Sequence, residues 1–400
     1  MLAFFLGAGA SVECGMPLVW PFTATFKENV LKRVDTKLFN FSDNEEIKER
    51  FVAIIGNTDM HYEQMVSELE KWKLSSVGKE RKIVDGLIKQ ATECIQLLLL
   101  ELQEKCNSRM QLRFEHYFGL KAIIKKFGCL DIYSLNHDLI IEELCAFYKI
   151  PLKDGFYADR EHGYSRLGSF RVVTKEELQQ HRLDFFDQNQ SGVNLVKLHG
   201  SFDIFAIEDK GKYLKSVGDS EFGSYVMAVR NIERLSLAEC QKSGVRGVNE
   251  LFVNDDSGEL QFLRRSLLSG GHKFSEKFEQ IAPRELFEEF KTRIMSVREL
   301  VVIGYGFGDE HVNVVFCDWL KIPGTKLIVC DPYRTEVPDC LSRNSNQVEI
   351  RNLGFTDLLL SFDPEGDTDD KKQKRMLIQH LESLSKSEIE NLTSLLKGRS

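Results

Sequence analysis

The sequence predicts an α/β fold built on a parallel β-sheet, and three observations carry that prediction. Short apolar runs of strand length recur at residues 2–6, 129–135, 193–198, 300–303 and 326–330. Most contain almost no charge, as expected for strands buried on both faces. Between and after them lie stretches with helical spacing, so that strand, loop and helix repeat along the chain. Finally, each unusual polar cluster falls just after a strand, at the edge where doubly wound sheets bind ligands.

The first strand, residues 2–6, stops at Gly7-Ala8-Gly9-Ala10-Ser11. Such a turn brings backbone close to a phosphate and offers N–H donors to its oxygens, with a following helix N-terminus adding partial positive charge. It lacks the third glycine of a G-x-G-x-x-G fingerprint, because Val12 stands there. Residues 18–34 are aromatic-rich and turn helical from about Thr23. From Asp43 to about Phe127 the period is helical almost throughout, with Phe51, Ile54 and Ile55 on one face and Ile83, Leu87, Ile88 and Ala91 on another. This block, about 40–128, is a large helical insertion between the first two strands. Two roles fit it: a cover for the sheet, or a subunit interface.

The second strand, 129–135, delivers Asn136-His137-Asp138, and a helix follows over 139–148. Residues 151–192 read as loops with short strands. The third strand, 193–198, delivers His199-Gly200-Ser201. Residues 203–272 are irregular and charged, long for a compact domain and a place for a mobile element. A helix over 284–297 leads to the fourth strand, 300–303, which ends in Gly304-Tyr305-Gly306-Phe307-Gly308. A helix over 309–320 and a fifth strand, 326–330, bring the chain to Asp331-Pro332. The resulting expectation is a Rossmann-like catalytic domain over 1–362 and a basic helical tail over 363–400. That tail opens polar and turns helical from about Arg375; from Lys371 onward seven Lys and Arg outnumber three Glu. It reads as a solvated helix or as a docking arm.

Composition narrows the function. Lys and Arg number 53 against 61 Asp and Glu, a net charge of −8, which argues against a generic polyanion binder. The nine cysteines form no C-x-x-C pair and several sit in apolar runs, as reduced core residues do. No zinc site is expected. No apolar run reaches membrane-spanning length and the start lacks the basic region of a signal peptide, so the expectation is a cytoplasmic protein without a membrane segment.

The strand ends together describe a ligand. The Gly7–Ser11 turn offers a phosphate cradle. Asn136 and Asp138 offer an amide and a carboxylate for a sugar or a carboxamide. His199 titrates near neutral pH and suits a general base. Gly304-Tyr305-Gly306 offers a second close backbone approach, although Tyr305 also fits plain packing. Asp331 is placed for ribose hydroxyls, or equally for a turn before Pro332. Taken singly, Asn136 also reads as a helix cap and Asp138 as a first-turn acid. His137 and His311 read as bystanders. Phosphate, sugars and a base imply a dinucleotide.

With these residues in view, the chain resembles the sirtuins. GAGAS followed by C-G-M-P is similar to their glycine-rich opening, S-L-N-H-D to their Q-N-x-D motif, and K-L-H-G to the segment of their catalytic histidine. I-G-Y-G-F-G-D-x-x-x-N resembles the late glycine motif of the bacterial sirtuin-like branch. The order matches too, over most of residues 1 to about 335. The chain departs from sirtuin deacylases in lacking both zinc-binding C-x-x-C pairs, and in carrying Val19-Trp20-Pro21 where they have D-F-R. It is more similar to the zinc-free anti-phage branch that hydrolyses NAD, and within it to the subunit paired with a HerA-type ATPase. The resemblance implies NAD as substrate, cut to nicotinamide and ADP-ribose. It implies Asn136 and His199 as catalytic residues and Asp138 as the holder of the nicotinamide carboxamide. It also implies a homo-oligomer and a HerA-type partner, through which any nucleic acid is met. Two rivals remain: a non-catalytic sensor of NAD or ADP-ribose, and a DNA-processing subunit of a HerA complex.

Overall fold

In the computed structural model, residues 1–219, 221–245, 250–267, 283–378, 380, 381 and 384 are described. Twelve strands form among them: β1 (Leu2–Leu6), β2 (Cys129–Ser134), β3 (Leu152–Lys153), β4 (Ser169–Thr174), β5 (Gly192–Lys197), β6 (Gly200–Ile207), β7 (Lys212–Val217), β8 (Glu250–Asn254), β9 (Leu260–Leu267), β10 (Glu299–Ile303), β11 (Lys326–Cys330) and β12 (Val348–Arg351).

Seven of these build a parallel sheet in the order β12-β11-β10-β1-β2-β5-β3. The expected α/β, Rossmann-like class is what forms. β1 lies at the centre and all five of its residues are buried. Apolar packing covers both faces: Phe4 belongs to one core cluster, while Phe5 belongs to the other and packs edge-on against Tyr305 and Phe316. The chain runs from β1 outward through β2 and β5, then returns to the other side of β1 as β10 and β11. The strand order therefore reverses at β1, and a crevice opens there at the carboxyl ends. The two-residue edge strand β3 falls where short strands among loops are expected, whereas the edge strand β12 was not anticipated from the sequence, because it is short and only partly buried.

Helices α1 (Val19–Asp35), α2 (Glu45–Gly56), α3 (Tyr62–Ser75), α4 (Gly78–Arg113) and α5 (Gly119–Phe127) lie between β1 and β2 along the chain. Along α4, Val84, Leu87, Ala91, Cys94, Ile95 and Leu98 recur at helical spacing and pack against Phe22, Phe26, Met65 and Leu69. Asn44 caps α2 by accepting from the Ile47 N–H at 3.0 Å, with Glu45 and Glu46 in the first turn. Since α1 shares this core, the helical body starts at Val19.

Residues 203–267 correct the sequence-based expectation. Where an irregular stretch is expected, an antiparallel sheet of order β4-β7-β6-β9-β8 forms, joined by α6 (Ile140–Tyr148) and α7 (Lys175–Gln179) earlier in the chain and by α8 (Ser224–Ser243). Its charge obscured the pattern. All eight residues of β6 are buried, including Ser201 and Asp203, so no polar–apolar alternation survives. Residues 268–272 of that stretch lie outside the described ones.

The last helices are α9 (Glu285–Ile294), α10 (Glu310–Trp319) and α11 (Phe355–Ser361). In the tail, helix begins at Asp369, ahead of the expected Arg375. Its first basic residues are engaged within the chain: Lys374 with Glu115 at 2.7 Å, Arg375 with Asp367 at 2.6 Å, and Lys371 over the Phe118 ring at 3.8 Å. Lys386, Lys397 and Arg399 lie outside the described residues. All nine cysteines are free. Among the described residues, no helix is long and apolar enough to cross a membrane.

Candidate active site

The loops after β1 and β10 meet across the crevice. Gly7 N–H donates to Ile303 O at 3.0 Å and Gly9 N–H to Gly304 O at 2.8 Å. A Cβ on Gly9 would lie 2.6 Å from Gly304 Cα. Gly304 itself has φ +60°, with Gly9 and Ala10 backbone where its own Cβ would go. These glycines thus exist so that two chain segments can cross.

This revises the expectation of a free phosphate cradle. The N–H groups of Gly7, Gly9 and Ala10 are already donated within the protein, the last to Gly7 O at 3.0 Å. What remains facing the crevice is the surface of Gly7, Ala8 and Gly9, with the Ser11 side chain beside it. Ala10 is buried behind them.

Asn136 and Asp138 follow β2, and Ser11 ties them to the turn. Asn136 Nδ2 donates to Gly7 O and to Ser11 Oγ, both at 2.9 Å. Ser11 Oγ donates in turn to Asp138 Oδ2 at 2.6 Å. Both protons of the Asn136 amide are thereby used, leaving its oxygen as the group a bound molecule can meet. Asp138 Oδ1 accepts from Ile140 N at 3.3 Å, so the carboxylate starts the next helix and still has lone pairs to spare.

His199 sits at the junction of the two sheets, between Lys197, the last residue of β5, and Gly200, the first of β6. It is 4 % exposed, and its Nε2 lies 3.2 Å from Asp309 Oδ2. Asp309 has two tasks. Its Oδ1 accepts from the His311 and Val312 N–H groups at 3.1 and 3.4 Å, capping α10, while Oδ2 faces the imidazole. A carboxylate so placed orients the ring and stabilises a protonated imidazole. Sequence reasoning missed Asp309 because an acidic residue between a glycine-rich turn and a helix reads as a cap, which it also is.

Tyr305 bonds through its hydroxyl to Asp309 O at 3.0 Å and Asn313 Oδ1 at 3.1 Å. Asn313 Nδ2 donates to Phe307 O at 2.8 Å. Tyr305 is thus the pin of the 305–309 loop; burial, with Asp309 adding to it, holds its phenol well above the usual range. Gly306 is exposed on the cavity side, with nothing within 4 Å of where a Cβ would stand. Asp331 is placed elsewhere than expected: its Oδ1 accepts from Tyr333 N at 2.9 Å and its Oδ2 lies 3.9 Å from Arg334 Nε, in a turn after β11. The turn reading of Asp331-Pro332 accounts for it.

The β1 turn, Asn136, Asp138, His199, Gly304, Tyr305, Gly306 and Asp309, but not Asp331, line one cavity of about 670 Å³, within the size range of small-molecule sites. His137 and His311, given no role from the sequence, line it as well. Another wall comes from the helical insertion: Leu18, Trp20 and Phe22 of the α1 segment, with His61, Tyr62, Glu63 and Gln64 at the start of α3. The Trp20 indole stands at 90° to the His61 ring, 5.9 Å away. The site accordingly has a polar floor of amide, carboxylate and imidazole and an aromatic wall. Such a site suits a molecule with flat rings and sugar hydroxyls. Among the described residues no cluster of His, Cys, Asp and Glu is arranged to hold a metal ion.

No protein-family model and no curated protein matches the chain. Solved structures to which it is similar are sirtuins. One described by the structural basis of sirtuin substrate affinity is 11 % identical over 92 % of this chain and 94 % of that one, with a TM-score of 0.36. A mutant Sir2 homologue with 2'-O-acetyl ADP ribose is 10 % identical over 94 % and 92 %, with a TM-score of 0.40. A Sir2 complex with a p53 peptide and NAD+ is 12 % identical over 92 % and 93 %, with a TM-score of 0.36.

Proposed function

We propose that this chain hydrolyses NAD+ at the nicotinamide–ribose bond. The observation that supports it most is the convergence of Asn136, Asp138 and the His199–Asp309 pair on the polar floor of one cavity, beside the β1 turn. In the proposed reaction the C–N glycosidic bond breaks and its electron pair leaves with the nicotinamide nitrogen. A water oxygen then bonds to the anomeric carbon, and its proton passes to His199, directly or through a ribose hydroxyl. The Asn136 amide oxygen orients the ribose and the water, and Asp138 accepts from the nicotinamide carboxamide. Fixed dipoles around a developing oxocarbenium ion supply the rate, since they need no reorganisation during the reaction. The products are nicotinamide and ADP-ribose.

The finer role we attach to this activity is anti-phage defence, in the cytoplasm of a bacterium, as a homo-oligomer restrained or triggered by a HerA-type ATPase. It rests on the resemblance of the strand-end motifs and on the hazard of unrestrained NAD loss. The test is to incubate the purified chain with NAD+, alone and with such an ATPase and DNA, and to separate the products. Equimolar nicotinamide and ADP-ribose support the proposal. Intact NAD+ under every condition, with NAD+ tightly bound, would favour the sensor.

A further inference from the structure

We propose that Lys197 is a positioning residue for this site, holding the Asn136–Asp138 loop in register with His199. The inference rests on the hydrolase reading above. Lys197 is 3 % exposed, and burying an ammonium is costly unless partners replace its water. Its partners are the loop itself: Nζ donates to the main-chain carbonyls of Asn136, at 3.2 Å, and of Asp138. Glu142 Oε2 stands 3.5 Å away. One ammonium thus donates to two loop carbonyls and stands at ion-pairing distance from a carboxylate.

The placement is specific. Ser11 grips the side chains of Asn136 and Asp138 from the β1 side, and Lys197 grips the carbonyls of the same residues from the β5 side. Lys197 also stands two positions before His199 on the same strand end, so one side chain sets how the amide and the imidazole lie relative to each other. Glu142 carries the linkage onward. Its Oε1 is 3.1 Å from Lys215 Nζ, which is 2.7 Å from Asp203 Oδ2. Two buried lysines alternate with two buried carboxylates, running from the β6 and β7 strands to the loop. A buried ionic chain of this kind adds little net stability over an apolar one; its proposed role in this chain is to fix the geometry of the loop.

The experiment measures kcat and KM for NAD+ in the full-length chain, with any partner its activity needs, and records the ¹⁵N signals of His137 and His199. Lys197→Met is combined with Glu142→Gln, so that no buried charge is left alone. A fall in kcat of roughly tenfold or more with KM changed less than about threefold is expected, together with displaced His199 signals. Lys197→Arg is expected to lie between, because its planar fork cannot reproduce a compact ammonium. If the double variant does not fold, Lys197→Arg decides, with a kcat loss of about threefold at unchanged KM expected. Unchanged kcat and unmoved His199 signals would overturn the role of Lys197 and leave the hydrolase reading intact. Should wild-type protein consume no NAD+ with its partner present, the hydrolase reading falls, and the His199 signals alone then uphold or overturn the positioning role.

Discussion

At the residue scale, the site depends on a backbone crossing and on one charge pair. Gly304 holds φ +60° with Gly9 and Ala10 backbone in the space of its absent Cβ. Gly304→Ala is expected to destabilise the chain by about 2–4 kcal/mol, through left-handed strain plus a clash that only backbone movement relieves. Chemical denaturation measures it, and a loss below about 0.5 kcal/mol would show that the loops can part. Asp309→Asn separates the two tasks of Asp309. Asparagine caps a helix as well as aspartate does, so α10 keeps its start and melting is expected to change little. NAD+ turnover is expected to fall roughly 10- to 100-fold, because the imidazole loses its carboxylate. Ser11, Asn136, Asp138 and His199 were legible in the sequence because each stands just after a strand where polar residues interrupt an apolar run. The partnership of His199 with Asp309 was not, since it joins positions far apart in the chain.

At the scale of elements, the helical insertion carries a pH-dependent contribution to stability. Glu70 lies on the buried face of α3, its Oε2 takes no hydrogen bond, and burial pushes its carboxyl up to about 7. Between its ordinary 4.5 and about 7, the folded chain keeps a proton that the unfolded chain has released. Stability from this group therefore declines as pH rises through that window and is lost above it. Glu70→Gln removes the dependence. The variant is expected to gain on the order of 2 kcal/mol relative to wild type between about pH 5 and about pH 8. Denaturation midpoints at the two pH values check this, and parallel shifts would show that Glu70 titrates normally. The five inner strands of the parallel sheet were legible because burial on both faces left them apolar. The antiparallel sheet was hidden for the opposite reason. Buried strand residues such as Lys215 and Asp203, which pair with each other, and Arg265, which lies 2.9 Å from Glu233 of α8, put charge where a strand pattern calls for alternation.

For the whole molecule, the strand-order reversal at β1 determines where chemistry can occur. β1, β2, β5 and β10 all end at the crevice, and each delivers part of the floor: Ser11, then Asn136 and Asp138, then His199, then Asp309. The helical insertion closes the far side with Trp20 and His61, so a block that the sequence marked only as helical cover or interface also shapes the cavity. The antiparallel sheet reaches the same site through the buried Lys215–Glu142–Lys197 chain. The central claim is that this floor breaks the nicotinamide–ribose bond with His199 as base. The most direct test compares wild type with His199→Ala, reading NAD+ binding by calorimetry and nicotinamide release in the same preparations. Binding within about threefold of wild type, with release reduced at least 100-fold, is the expected result. Nicotinamide release at the wild-type rate by His199→Ala would contradict the account.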